Sequence, residues 1–316
     1  MSASSLFFAN RTVVIATMHR KEQVIAPLLT SALAVKTLVP PDFNTDDFGT
    51  FTRDIDRPAD QLTTARLKAT AALELTGETL AVASEGSFGP HPQIPFAACD
   101  RELVLLCDRH HQLEIVGEVL STETNHNAQM IRSVEEALTF AKSAGFPDHG
   151  MVIMKAASDR HTSRSSESLF ESSSDIPPNF PPNFPPNFPK EVIEKGINHE
   201  ADLIAAVNKA LSQSLEHRAY IETDMRALYN PTRMKVIAQA TQNLIQKIEQ
   251  SCPQCGFPGF CVVQRRPGLP CGFCGAATLL TLSVLYRCGH CQFQQSQMFP
   301  DSLQFADPGC CSLCNP

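Results

Sequence analysis

The chain has 316 residues, 43% of them apolar, and its 26 basic and 33 acidic side chains leave a net charge of −7. That length supports one large core with a smaller satellite, hence two domains. The acid excess excludes a broad phosphate-backbone footprint, so nucleic acid is not expected as a partner, while a local cationic pocket stays open. No run approaches a membrane span, and the start MSASSLFFANR lacks the charged beginning and long apolar centre of a secretory signal. A cytoplasmic location with no membrane partner is expected.

From Thr12 to Lys155 strand-like and helix-like runs alternate. TVVIAT, KTLVP, TLAVAS, ELVLLC, LEIVGEVL and MVIMK read as strands. EQVIAPLLTSALA, ADQLTTARLKATAALEL and SVEEALTFAKSAG read as helices. Short β-rich runs between amphipathic helices predict an α/β layer fold with some parallel pairing. CDRHHQL reads as a turn between antiparallel strands, so the sheet is expected to be mixed. Residues 158–189 break the pattern: a Ser-rich stretch precedes three copies of PPNF. Such sequence reads as a disordered insertion or as a proline-recognition ligand. Order returns with a helix around EADLIAAVNKALSQSL, a strand RAYIET, and a helix begun by Asn230 as N-cap and Pro231 in its first turn. Met234, Ile237, Ala238, Thr241, Leu244, Ile245 and Ile248 mark one face of that helix. Residues 10–250 are thus expected to form a three-layer α/β domain with a mixed sheet.

Three strand ends carry polar residues. TVVIAT ends in Met18-His19-Arg20-Lys21-Glu22, TLAVAS in Glu85-Gly86-Ser87-Phe88-Gly89, and YIET in Asp224-Met225-Arg226, with Arg233 shortly after. Carboxyl ends of strands in open α/β sheets are where ligands bind, and a helix N-terminus there favours an anion. SEGSFGPHP reads as a ligand-site loop. Glu85 with Asp46 or Asp224 would hold Mg2+, while Lys21, Arg226 and Arg233 would neutralise phosphate. Gly86, Ser87 and Gly89 would allow close backbone approach, and His91 is the best-placed histidine for proton transfer. The bland alternative pairs Asp224 with Arg233 and lets Glu85 cap a turn. Asp47 reads as beginning a turn, Phe51 as an anchor of a Gly49-Thr50-Phe51 bend, and Cys99 and Cys107 as inert core thiols.

Ten of the twelve cysteines crowd into residues 252–314. Four CxxC pairs, Cys252/Cys255, Cys271/Cys274, Cys288/Cys291 and Cys311/Cys314, match two tetrahedral four-cysteine zinc sites, with Cys261 and Cys310 to spare. Residues 251–316 therefore read as a double zinc-ribbon-like β module. TLLTLSVLYR lies between the second and third pairs and alternates like one strand. Extended, it spans roughly 33 Å, too far for those pairs to share an ion. A three-strand meander would join the first pair to the third and the second to the fourth. With few basic residues around eight thiolates, a structural clip or a protein-contact module is expected.

The set ATMHRKEQVIAPLL, DDFGTFTRDIDRP, ARLKA, ASEGSFGPHP, GFPDHG, ETDMRALYNPTRM, CPQCGFPGF, GLPCGFCG and a terminal CNP resembles an uncharacterised bacterial family known by a domain of unknown function. The resemblance implies shared architecture and no particular activity. IATMHRKEQVIAPLL, GTF and ARLKATAALELTGETLAVASEGSF also resemble, over about a quarter of the chain, inosine-triphosphate-type nucleotide pyrophosphatases. That resemblance implies Lys21 on phosphate, Lys68 on a pocket helix and Glu85 on Mg2+. His19 stands where that family has Asn, Lys21 is one residue early, and a single Glu85 replaces an acidic pair. Two functions follow: a Mg2+-dependent phosphohydrolase with a structural zinc module, or a non-catalytic protein that binds a small anionic or phosphorylated ligand and contacts a protein partner through that module.

Overall fold

The structure is a computed structural model and describes residues 7–41, 43–48, 59–155 and 191–316. The Ser-rich and PPNF stretch and the Gly49-Thr50-Phe51 bend lie outside those residues. In chain order the first elements are β1 (Thr12–Ala16), α1 (Glu22–Leu33), β2 (Lys36–Leu38), α2 (Gln61–Thr76), β3 (Leu80–Pro90), β4 (Ala98–Asp108) and β5 (Leu113–Ser121). Then come β6 (Ala128–Ile131), α3 (Val134–Ser143), β7 (Met151–Lys155), β8 (Glu191–Ile197), α4 (Glu200–Gln213), β9 (Ala219–Thr223) and α5 (Pro231–Glu249). The tail adds β10 (Cys261–Pro267), β11 (Thr281–Arg287) and β12 (Gln294–Met298).

β1, β3 and the inner part of β4 are apolar on both faces because helices cover both. Val13, Ile15, Leu80, Val82, Val104 and Leu106 pack with α1 and α5. Val14, Ala16, Ala81 and Ala83 pack against Ala65, Ala69, Ala72 and Leu73 of α2, where small residues on both sides let helix and sheet approach closely. The helices start where the sequence places caps. Asp60 accepts from the backbone N–H of Thr63 at 3.0 Å, Ser133 from that of Glu136 at 3.1 Å, and Asn230 from that of Arg233 at 2.9 Å.

The main sheet has the order β2-β1-β3-β4-β5, with β2, β1 and β3 parallel and β4 and β5 antiparallel. Residues 109–112 make the expected turn between β4 and β5. At Gly117 of β5 an added Cβ would collide with the Ala240 carbonyl oxygen and the Leu244 nitrogen, so only glycine lets α5 settle there. Lys247 donates to the Val116 carbonyl at 2.7 Å and Asn243 accepts from the Glu118 N–H at 3.1 Å, occupying backbone groups of this edge strand.

MVIMK and RAYIET join a second sheet, order β6-β9-β7-β8, entirely antiparallel and packed on α3 and α4. Strand-like runs alone do not disclose which partners they choose, so the sequence did not separate the two sheets. The tail forms the expected meander β10-β11-β12. It docks on the β4–β5 turn. His290 stacks on Phe257 with centroids 4.1 Å apart, Phe257 meets Phe7 at 4.8 Å, and Phe7 meets His111 at 4.2 Å. His111 and Arg11 both bond the buried carboxylate of Asp108, at 2.7 and 2.5 Å. Those bonds outweigh its burial and hold the Asp108 carboxyl below the usual range.

Candidate ligand crevice and metal centres

The chain leaves β1 through α1 on one face to reach β2, then returns through α2 on the opposite face to β3. The winding direction therefore reverses between β1 and β3. Such a reversal opens a crevice at the carboxyl ends of the strands. β1 stops beside Ala83, while β3 runs on to Pro90 alongside β4. Lys21, at the start of α1, reaches into this gap and donates to the Ser84 hydroxyl at 3.0 Å and the Ser84 carbonyl at 3.3 Å.

Charged side chains from α2, β3, β4 and α5 gather around Lys21, all buried. On the α2 face, Lys68 pairs with Glu85. On the α5 face, Arg233 pairs through Nε with Glu102 at 2.6 Å and donates from Nη1 to the Met225 carbonyl at 2.5 Å. Its guanidinium lies 5.2 Å from the centre of the Phe88 ring. Burial, then the charge of Arg233, depresses the Lys21 ammonium to about 7. Burial, then the charge of Glu102, pushes the Asp100 carboxyl up to about 8. An added Cβ at Gly86 would collide with Glu102 Oε1 and lie 2.6 Å from Arg233 Nη2, so the glycine makes room for the ion pair across the strand.

The strand-end residues thus divide. Lys21, Lys68, Glu85, Gly86 and Arg233 come together. SEGSFGP, expected as a loop, is instead the outer half of β3, because β4 continues beside it and supplies partners from Glu102 at Gly86 to Ala98 at Pro90. Ser87 sits half-buried opposite Arg101. His91 lies past the strand, where its Nδ1 accepts the N–H groups of Gln93 and Ile94 at 3.2 Å, which makes it the cap of the β3–β4 turn. Asp224, expected beside Glu85, is buried and takes the Arg226 guanidinium on both oxygens, at 3.0 and 2.6 Å. Each of the two carboxylates therefore has its own cation. Arg226 also lies 4.7 Å from the centre of the Tyr229 ring. The expected alternative pairing of Asp224 with Arg233 is likewise replaced, since Glu102 takes Arg233. Asp46 and Asp47 lie in a 3-10 turn at Thr45–Phe48, and their side chains are outside the described set.

Asp100 and Glu102 did not emerge from the sequence reading. The signal was available: they occupy alternate positions of β4, on the face continued by Val104 and Leu106, where an acidic pair has no reason to be buried for packing. Cys99 and Cys107 are core thiols whose pKa burial raises.

Two four-cysteine clusters could each hold a metal ion such as Zn2+: Cys252, Cys255, Cys288 and Cys291 in one, Cys271, Cys274, Cys311 and Cys314 in the other. The first CxxC pair meets the third and the second meets the fourth, as the reach of β11 requires. Sulfur–sulfur separations of 3.6–3.9 Å fit the edge of a tetrahedron with Zn–S near 2.3 Å, about 3.8 Å. The first cluster lies against the aromatic contacts with the β4–β5 turn. Around the second, Phe273, Leu279, Phe305 and Leu313 are exposed, Phe273 to 83%. Cys261 and Cys310 belong to neither.

A family model described as a domain of unknown function, DUF6671, matches residues 68–169 and 188–316, with its break inside the Ser- and Pro-rich stretch. No curated protein matches the chain, and the resemblance to inosine-triphosphate-type pyrophosphatases gains no support from these comparisons. No helix among the described residues is long and apolar enough to cross a membrane.

Proposed function

The chain belongs to the DUF6671 family, and from its switch-point crevice we propose that it binds a small anionic, phosphorylated ligand between β1 and β3. The observation that carries this reading is Lys21, a buried ammonium at a helix start, held on the outer part of β3 beside Lys68 and Arg233. Burying three cations costs several kcal/mol per ion by order of magnitude, and structural ion pairs rarely repay it. An anion beside Lys21 would offset part of that cost. The enzymatic form of the reading is Mg2+-dependent hydrolysis of a phosphoanhydride.

Thermal shift and calorimetry with inorganic phosphate, pyrophosphate and nucleoside triphosphates test binding. Wild type should be stabilised by at least one of them, and Lys21→Met should weaken that ligand at least about tenfold. A wild type indifferent to every anion overturns the reading. Pyrophosphate release from the triphosphates separates enzyme from binder.

A second reading concerns the tail, and it rests on Phe273, Phe305 and Leu313 standing exposed around the second cysteine cluster. We infer a protein-contact face there, with the first cluster serving as the clip to the main sheet. Phe273→Ser should leave stability within about 0.5 kcal/mol if the ring serves only a partner.

A further inference from the structure

The carboxyl groups of Asp100 and Glu102 touch, and among the described residues no donor holds them apart. Asp100 is 1% exposed, and no donor among those residues reaches either of its oxygens or Oε2 of Glu102. The Glu102 carboxyl is near enough to raise the proton affinity of the Asp100 carboxyl, after burial. Glu102 gives Oε1 to Arg233, which fixes the side chain and leaves Oε2 buried without a donor. Two carboxyl groups in contact require positive charge between them, either a shared proton or a cation.

The oxygens left without a donor favour the cation. A shared proton joins one oxygen of each group and leaves the second Asp100 oxygen buried and bare. A hard dication can take oxygens from both groups and complete its shell with water and ligand oxygens, as Mg2+ does with one or two carboxylates and a phosphate. Charge leads the same way. Lys21, Lys68 and Arg233 balance Glu85, Asp100 and Glu102 when all are ionised, so a dication adds two positive charges, the complement of a phosphate dianion.

We propose that Asp100 and Glu102 form a divalent-cation site, for Mg2+ or Mn2+, on which a phosphate group of the crevice ligand is seated. The cation half stands by itself; the phosphate half rests on the anion-binding reading above. Gly86 opposite Glu102 makes room for the Glu102–Arg233 pair that holds the Glu102 carboxylate, and Phe88 stands opposite Asp100. The site replaces the expected Mg2+ pair of Glu85 with Asp224.

The test uses the full zinc-loaded chain and Mn2+, with free metal read by electron paramagnetic resonance. Wild type should take up one Mn2+ per chain beyond its zinc. Asp100→Asn should weaken that uptake at least about tenfold, with circular dichroism and zinc content unchanged. Inorganic phosphate should bind wild type more tightly with Mn2+ present than without. A wild type that takes up no more Mn2+ than Asp100→Asn overturns the cation site and leaves the shared proton. Phosphate binding that ignores both Mn2+ and Asp100→Asn also overturns the seating, while the anion reading survives. Mn2+ uptake lost in Asp100→Asn, with phosphate never binding, upholds the cation site and removes the anion reading.

Discussion

Lys21 ties the crevice to pH. Burial, then Arg233 from α5, lowers its pKa, Lys68 from α2 adds to this, and Glu102 from β4 and Glu85 from β3 oppose it without prevailing. With a pKa near 7 against 10.5 unfolded, the folded chain binds fewer protons than the unfolded one between those values, so this group makes stability rise with pH across that window. A bound anion restores the ammonium. Phosphate binding at about pH 8 should therefore take up close to one proton, and affinity should fall by up to about tenfold per pH unit above 7. Calorimetry in buffers of different ionisation enthalpy measures the uptake; binding without protons would remove Lys21 from the contact. Gly86 gives a prediction of another kind. Gly86→Ala puts a methyl against the buried Glu102–Arg233 pair, at a cost of about 1–3 kcal/mol in urea denaturation. An unchanged midpoint would mean that the pair shifts freely.

Among the elements, the meander makes the cleanest claim. Cys271→Ser and Cys311→Ser should damage the same centre, each leaving one tightly held zinc of two and an intact Cys252/Cys255/Cys288/Cys291 cluster. Metal analysis with cobalt substitution reads this, and loss of both metals from either variant would contradict the pairing. This part was legible because TLLTLSVLYR contains no turn residue and its length forbids the alternative. The helices were legible for a similar reason, since Asp60, Ser133 and Asn230 stand at their starts and apolar periodicity follows. The outer half of β3 was not. Gly86, Gly89 and Pro90 are local turn signals, and they lost to eleven residues of pairing with β4, which no local pattern announces. The pairing of Asp224 with Arg226 was not legible, because a strand end with charges looks the same whether the charges await a ligand or hold each other. Likewise, Glu102 was a plain strand residue until α5 brought Arg233 across 131 positions to meet it.

At the scale of the molecule, the crevice and the tail occupy opposite ends of β4. Asp100 lies by the crevice, and Asp108 lies by the docked cysteine cluster, eight residues or roughly 26 Å along the strand. A metal ion in the docked cluster would therefore act on the fold and not at the crevice. Near the other sheet, the excursion at residues 156–190 leaves from β7 and re-enters at β8, whose Lys155 and Glu191 are paired neighbours. Replacing 158–189 with a short flexible linker should leave the melting temperature within a few degrees, because closing the hairpin costs little more or less as the loop shortens. A drop of about ten degrees would mean that the segment packs on the fold. The same adjacency has a consequence for covalent continuity. A single cut at Arg160 or Arg164 would separate the polypeptide into two pieces that share the second sheet, while α5 of the second piece packs on the main sheet of the first. One piece contributes β7 and nearly all of the crevice; the other contributes β8, β9, α5 with Arg233, and the cysteine-rich tail. Neither piece can cover its apolar faces without the other. The protein is in this sense already a complementation pair, joined by a tether, and its halves expressed separately should find each other.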